Sequence, residues 1–255
     1  MNLGASTMGI DIRGDGRITE VIIDIPPVNA LSADDWFALA DAIRTAATSS
    51  TVTAVILAAT GRGFCAGVDL KELQHRTDNA ALIAVNRGCF AAFAAVYDCP
   101  VPVVAAVHGY CLGGGVGLAG TADIVVAADD ATFGLPEVDR GALGAATHLS
   151  RLVPHQLMRA MVYTCRTISA QELRNFGSVL EVVPREQLAA AVRRVAGEIA
   201  AKDPLIIRRA KESLNGIDPV DLRRSYRYEQ GFTYELNLAG VSDRARQSFL
   251  DRRRH

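Results

Sequence analysis

The chain has 255 residues, 49% of them hydrophobic, with 27 basic against 28 acidic side chains and a formal net charge of −1. That length fits one large domain with room for a helical appendage, and the near-neutral balance excludes a whole-molecule field for nucleic acid or an anionic membrane. The five cysteines, at positions 65, 89, 99, 111 and 165, form no Cys-x-x-Cys pair. This excludes the usual zinc and redox spacings and points to a reducing compartment.

Met1 to Met8 has neither the basic segment nor the apolar run of a secretion signal, so a soluble, cytoplasmic protein is expected. Ile18 to Ile25 reads as a strand that Pro26 and Pro27 stop. Ser32, with Asp34 and Asp35 behind it, caps an amphipathic helix running to Ala47. Val52 to Ala59 reads as a buried strand, and Asn79 to Tyr97 carries apolar residues at helical spacing. Pro100 and Pro102 bracket the entry to a strand at Val103–Val107, which leads into a short small-residue helix ending at Thr121. Asp123–Ala127 and Ala131–Phe133 read as further strands. From Leu143 the pattern is mostly helical, with helices at Pro154–Tyr163, Ser169–Phe176, Arg185–Ala201, Pro204–Asn215, Pro219–Leu238 and Ser242–Arg252, and a strand at Val179–Val183. The most apolar stretch, Val101–Ala128, is broken by His108, glycines and Asp123, and does not read as a membrane span. The expected class is α/β with a parallel-rich sheet, a core over residues 1–200 and a helical region over 201–255.

Two glycine-bearing stretches carry the chemistry: Gly61-Arg-Gly-Phe-Cys-Ala-Gly-Val-Asp-Leu70 and His108-Gly-Tyr-Cys-Leu-Gly-Gly-Gly-Val-Gly117. Each follows a strand, and each can leave backbone N–H groups unpaired and aimed at one oxygen, as an oxyanion hole requires. Cys65 and Cys111 lie inside them, but no histidine stands in a recognisable partner position, so both read as small apolar fillers. Gly115-Val-Gly-Leu-Ala-Gly120 matches the dinucleotide pattern literally. It does not start at a strand end, and no strand ending in Asp or Glu follows at the required distance. His108, at a strand end, is expected to make a structural hydrogen bond.

Five elements in order make the chain resemble the crotonase (enoyl-CoA hydratase/isomerase) superfamily. They are Pro27-Val-Asn-Ala-Leu31, Gly63-Phe-Cys-Ala-Gly-Val-Asp-Leu70, Pro102 through Gly115, Asp123, and Phe133-Gly-Leu-Pro-Glu137 before a helical tail. The resemblance implies a spiral of ββα units with a C-terminal helical region used for trimer contacts, hence a homotrimer or homohexamer. It implies an acyl-CoA substrate and no further cofactor. The N–H groups of Val68 and Gly114 would form the oxyanion hole, and Ala66, Asp69 and Leu70 would line the coenzyme A site.

Hydratases of that family carry two glutamates, and the first position here is Gly117, so Glu137 alone remains. One base suffices for a proton shift, as in the Δ3,Δ2-enoyl-CoA isomerases, or for activating water against a carbon–carbon bond, as in the β-diketone hydrolases. Asp139 would form a second carboxylate pair with Glu137 if the segment is extended, and His148 would either line the pocket or be structural. Gly117 would supply room for a wide substrate. The phrases Asn86–Phe93, Thr132–Pro154 and Glu229–Gly240 resemble, within the family, the hydrolases that open the last five-membered ring of a bicyclic β-diketone acyl-CoA in steroid degradation. The alternatives are isomerase, hydratase, or a non-catalytic acyl-CoA-binding protein. Tyr226, Tyr228, Phe232 and Tyr234 fall at helical spacing, which favours packing over a place in the pocket.

Overall fold

The computed structural model describes residues 5–7, 9–74 and 79–252. In chain order the elements are β1 (Ala5–Thr7), β2 (Ile10–Asp15), β3 (Ile18–Ile23), β4 (Ala30–Leu31), α1 (Ala33–Ala46), β5 (Ala54–Ala59), β6 (Gly67–Val68), α2 (Leu70–Gln74) and α3 (Ala80–Tyr97). There follow β7 (Val103–Val107), β8 (Tyr110–Leu112), α4 (Gly114–Thr121), β9 (Ile124–Ala128), β10 (Thr132–Gly134), a 3-10 turn at Val138–Arg140, α5 (Ala146–Leu149) and α6 (His155–Thr164). The chain closes with β11 (Thr167–Ser169), α7 (Ala170–Asn175), β12 (Glu181–Val183), α8 (Leu188–Ala200), α9 (Pro204–Gly216), α10 (Leu222–Leu238) and α11 (Val241–Arg252).

The main sheet has the order β1-β2-β3-β5-β7-β9-β12, antiparallel at β1-β2-β3 and parallel from β3 onward. Its interior strand β7 is buried at every position, as a strand covered on both faces must be. Val103, Ala105 and Val107 face the α1–α3 side, and Val104 and Ala106 face Leu188, Val192 and Val195 of α8. α1 and α3 cross closely at Gly88, where a Cβ would stand 2.8 Å from the Cβ of Trp36. By composition α3 is long and apolar enough to span a bilayer, but half of it is buried here and it packs as a core helix on α1 and α10.

After each of β3, β5, β7 and β9 comes a short strand in a second layer: β4 pairs with β6, and β8 pairs with β10. This is the spiral of ββα units, with the glycine stretches at the crossing from one layer to the other. The short strands escape sequence reading because two or three residues show no period. Pro154 proves to be the residue before α6, not its first. Asp221 caps α10, so that helix begins three residues later than Pro219 suggests. Leu143–Ala145, at the start of the stretch expected to be mostly helical, is irregular, with Ala145 at φ 61°.

The three last helices pack back on the core. Asp203 caps α9 by accepting from Leu205 N and Ile206 N. Buried Lys211 of α9 lies 2.7 Å from both carboxylate oxygens of Asp123, which also accepts from Val103 N. That pair ties the helical tail to the main sheet.

Candidate active site

The Pro27–Leu31 element acts as a buckle. Asn29 is buried at φ 51°, a left-handed conformation that asparagine tolerates well. Its amide donates to the carbonyls of Thr60 and Gly63, at 2.9 Å each, and its Oδ1 accepts from Ile25 N at 2.8 Å. Its carbonyl accepts from Ala66 N at 3.1 Å. One side chain thus fixes the first glycine stretch against the end of β3.

Within the short β4–β6 ladder, Leu31 pairs with Val68, and Asp69 N donates to Leu31 O at 2.9 Å. In a parallel ladder this pattern turns the N–H of Val68 to the opposite edge, where that sheet has no further strand among the described residues. Gly114 stands on that edge as the first residue of α4, so its N–H belongs to the unpaired first turn, at the positive end of the helix. Gly67, at φ 89°, makes the approach possible: a Cβ there would lie 3.1 Å from Gly114 N. The structure therefore brings Val68 and Gly114 together.

Glu137 reaches the same place from β10. The Phe133↔Cys111 register and the Gly113 N to Gly134 O bond (3.0 Å) lay Leu135–Glu137 beside the α4 start. Gly113 has φ 56°, and a Cβ on it would stand 2.6 Å from Glu137 Oε1. As a residue Glu137 is half-buried, but its Oε2 is fully enclosed and has no hydrogen-bond partner among the described residues. Burial raises its pKa from the ordinary carboxylate value to about 7; Arg140 opposes the rise and Glu229 adds to it.

Glu137, Gly67, Val68, Gly113 and Gly114 share a cleft enclosing about 750 Å³, part of it open to solvent. A second cleft of about 730 Å³ carries Ala66, Asp69, Leu70 and Lys71, and meets the first at Val68, Leu70 and Arg140.

Two expectations change, those for Asp139 and Gly117, and the open alternative at His148 resolves to the structural one. Asp139 lies on a 3-10 turn rather than an extended segment, is exposed and does not line the cleft, so it does not pair with Glu137. The turn rotates successive side chains by about a third of a revolution, which separates positions two apart. The space beside Gly117 is not room for substrate: a Cβ there would fall 2.2 Å from the Phe93 ring. Phe93 fills it, packed edge-on to Trp36, with ring centroids 5.6 Å apart. His148 is 1% exposed behind that ring, 4.7 Å from it, and burial with Arg151 nearby lowers its pKa to about 3; it lines a separate small cavity.

Burial drives the Cys65 thiol up to about 12 while its sulfur accepts from Gly67 N, and raises Cys111 well above its usual range, which leaves both as fillers. His108 is held at Gly61 O, 3.2 Å away. Of the aromatic stripe, Tyr226 is buried and lines the cleft, Tyr228 is 71% exposed, and their neighbour Phe232 packs on Tyr228.

Sequence reasoning missed other groups. Leu82, Val85, Asn86 and Cys89 form the cleft face of α3; the signal was a polar residue on an otherwise apolar helical stripe. Glu229 of α10 accepts from Ala146 N at 2.9 Å, from Thr147 N at 2.6 Å and from the Thr147 hydroxyl. It holds the backbone just beyond the cleft-lining loop Ala142–Ala145, and nothing local in the sequence marks that partnership.

The fold and the paired glycine turns at one carboxylate define the class. Residues 13–255 match the enoyl-CoA hydratase/isomerase family, and the chain belongs to it. It is similar to a Rhodococcus jostii protein named (7aS)-7a-methyl-1,5-dioxo-2,3,5,6,7,7a-hexahydro-1H-indene-carboxyl-CoA hydrolase, with 60% identity over 245 residues, covering 96% of this chain and 95% of that one. A Mycobacterium tuberculosis protein of the same name is 60% identical over 233 residues, covering 91% and 94%. Among solved structures, an enoyl-CoA hydratase/isomerase from Xanthobacter autotrophicus Py2 superposes with a TM-score of 0.86 at 25% identity, covering 96% of this chain and 93% of that one.

Proposed function

We propose that this enzyme hydrolytically opens the five-membered ring of a bicyclic β-diketone acyl-CoA, with Glu137 as its base. The observation that carries the reading is a single carboxylate lining the cleft among the described residues. Glu137 stands against Gly113, beside the Val68 and Gly114 N–H groups, and Phe93 occupies the place a second glutamate would need. The two relatives named for a dioxo-hexahydro-indene-carboxyl-CoA supply the substrate class.

In this mechanism the thioester oxygen accepts from Val68 N–H and Gly114 N–H. Glu137 takes a proton from water, whose oxygen adds to the ring ketone. The ring carbon–carbon bond then breaks, and its electron pair becomes an enolate conjugated to the thioester, which the two N–H groups stabilise. Glu137 returns the proton to carbon. A carboxyl poised near neutrality suits both halves of that exchange. The coenzyme A portion would run along Ala66, Asp69 and Leu70 with Lys71 and Arg140 nearby, and no further cofactor is needed. The free cysteines fit a reducing cytoplasm. Leu205, Ile206 and Leu214 on α9 are 60–65% exposed, which supports burial against further copies in a trimer or a pair of trimers.

Product analysis with three substrates tests the reading. The bicyclic diketone ester is expected to gain one water and lose its ring, while crotonyl-CoA is hydrated poorly. Rapid hydration of crotonyl-CoA, or double-bond migration in a 3-enoyl-CoA without ring opening of the diketone, would contradict it.

A further inference from the structure

Most polar side chains that reach the Glu137 cleft are already engaged. Thr233 Oγ1 donates to Leu143 O at 2.6 Å and accepts from Leu143 N at 2.9 Å. Arg246 is held by Asn237 Oδ1, at 3.1 Å, and by Asp243. The Tyr226 hydroxyl lies beside the Gln230 side chain and Cys89. Asn86 differs. Its Nδ2 is fully buried on a cleft-lining residue and has no acceptor among the described residues. A buried amide donor left unmatched is costly, and such groups call for an explanation.

The surroundings hold this residue in place. Gln230, 1% exposed on α10, donates through Nε2 to Asn86 O at 2.7 Å, and its own Oε1 accepts from Arg227 at 2.9 Å. The turn of α3 that carries Asn86 is thus fixed by a buried side chain from another helix. Asn86 and Glu137 both line the cleft, one with an unspent donor and the other with an unspent acceptor.

Ring hydrolysis makes two anionic oxygens in succession, at different places. When the water oxygen bonds to the ring ketone carbon, the ketone π electrons move to its oxygen as an alkoxide, and the water proton goes to Glu137. When the ring bond breaks, the alkoxide re-forms a carbonyl within a new carboxyl group and the electron pair runs to the thioester oxygen. The Val68–Gly114 pair holds the thioester oxygen throughout, so it cannot serve the first anion. We propose that Asn86 Nδ2 donates to the oxygen of the ring ketone under attack, as a second oxyanion donor on the α3 wall. This inference rests on the ring-hydrolase reading above.

The test is steady-state kinetics on the bicyclic diketone ester with the unmodified enzyme, Asn86→Ala and Asn86→Asp, each checked by thermal melting. Removing an oxyanion donor lowers kcat by about 100-fold or more. We expect that loss in Asn86→Ala with KM changed by no more than about threefold, since the contact forms as charge develops. Asn86→Asp keeps the size and places an acceptor where the donor stood, so its kcat should be at least as low; it decides the matter if the alanine variant does not fold. An unchanged kcat in a folded variant, or a loss confined to KM, would overturn the assignment. If the unmodified enzyme leaves the ring intact, the ring-hydrolase reading falls and this inference falls with it.

Discussion

As the proposed base, Glu137 would set the pH behaviour of the site. A base must be ionised to accept a proton, so kcat/KM should fall about tenfold per pH unit below a midpoint near 7, and a pH–rate profile reads this directly. Glu137→Gln should lower kcat by about 10²–10⁴-fold. The same shift has a stability consequence. A carboxyl whose pKa rises from 4.5 to about 7 on folding favours the folded state only while protonated. Its contribution is full below the unfolded value and is lost as pH rises through the folded one. Glu137→Gln should therefore be more stable than the unmodified protein above pH 7, by on the order of 3 kcal/mol, with the difference vanishing toward acid. Urea titrations at the two extremes check the sign. At Gly117, the missing glutamate was legible in the sequence, but what replaced it was not. Phe93 lies 24 positions upstream, and only the fold brings its ring to that glycine. Gly117→Glu should consequently destabilise the protein by about 1–3 kcal/mol without creating a hydratase, and assays on crotonyl-CoA with chemical denaturation test both parts.

At the scale of elements, the cleft wall Gly141–Thr147 is held from outside by the tail. Ser242 donates to Gly141 O at 2.5 Å, Thr233 bonds Leu143 in both directions, and Glu229 takes two successive N–H groups at the start of α5. Glu229→Ala would leave those N–H groups unmatched, at a cost of about 2–3 kcal/mol. Because Ala142–Ala145 line the cleft, we expect KM to rise more than kcat falls; a variant with unchanged KM would detach α10 from substrate binding. The helices and long strands were largely readable, because apolar period and caps report burial directly: Ser32 does cap α1, in a capping box with Asp35. The clamp was not, since its partners lie 82 to 101 residues apart and each is an ordinary polar residue in its own context. Asp139 was misplaced for a related reason. Two-residue spacing puts side chains together only in extended backbone, and the turn at 138–140 is helical.

For the whole molecule, the main sheet fixes where the two glycine stretches meet, and the last two helices, α10 and α11, close the cleft beside them while α9 anchors the tail to the sheet. Lys211 and Asp123 lock that arrangement through a nearly dry ion pair, 3% and 19% exposed. Lys211→Ala should cost about 3–5 kcal/mol by leaving the carboxylate buried alone, and thermal unfolding measures it. The order of motifs along the chain was enough to read the family. The closure of the site by its own tail depends on contacts that no local pattern encodes. The central claim is tested most directly by running the reaction in heavy-oxygen water with the bicyclic diketone acyl-CoA and analysing the product by mass spectrometry. One heavy oxygen should enter the newly formed carboxyl group, and Glu137→Gln should slow its appearance by about 100-fold or more. Ring opening without label, or labelled product at an unchanged rate from Glu137→Gln, would contradict hydrolysis with Glu137 as the base.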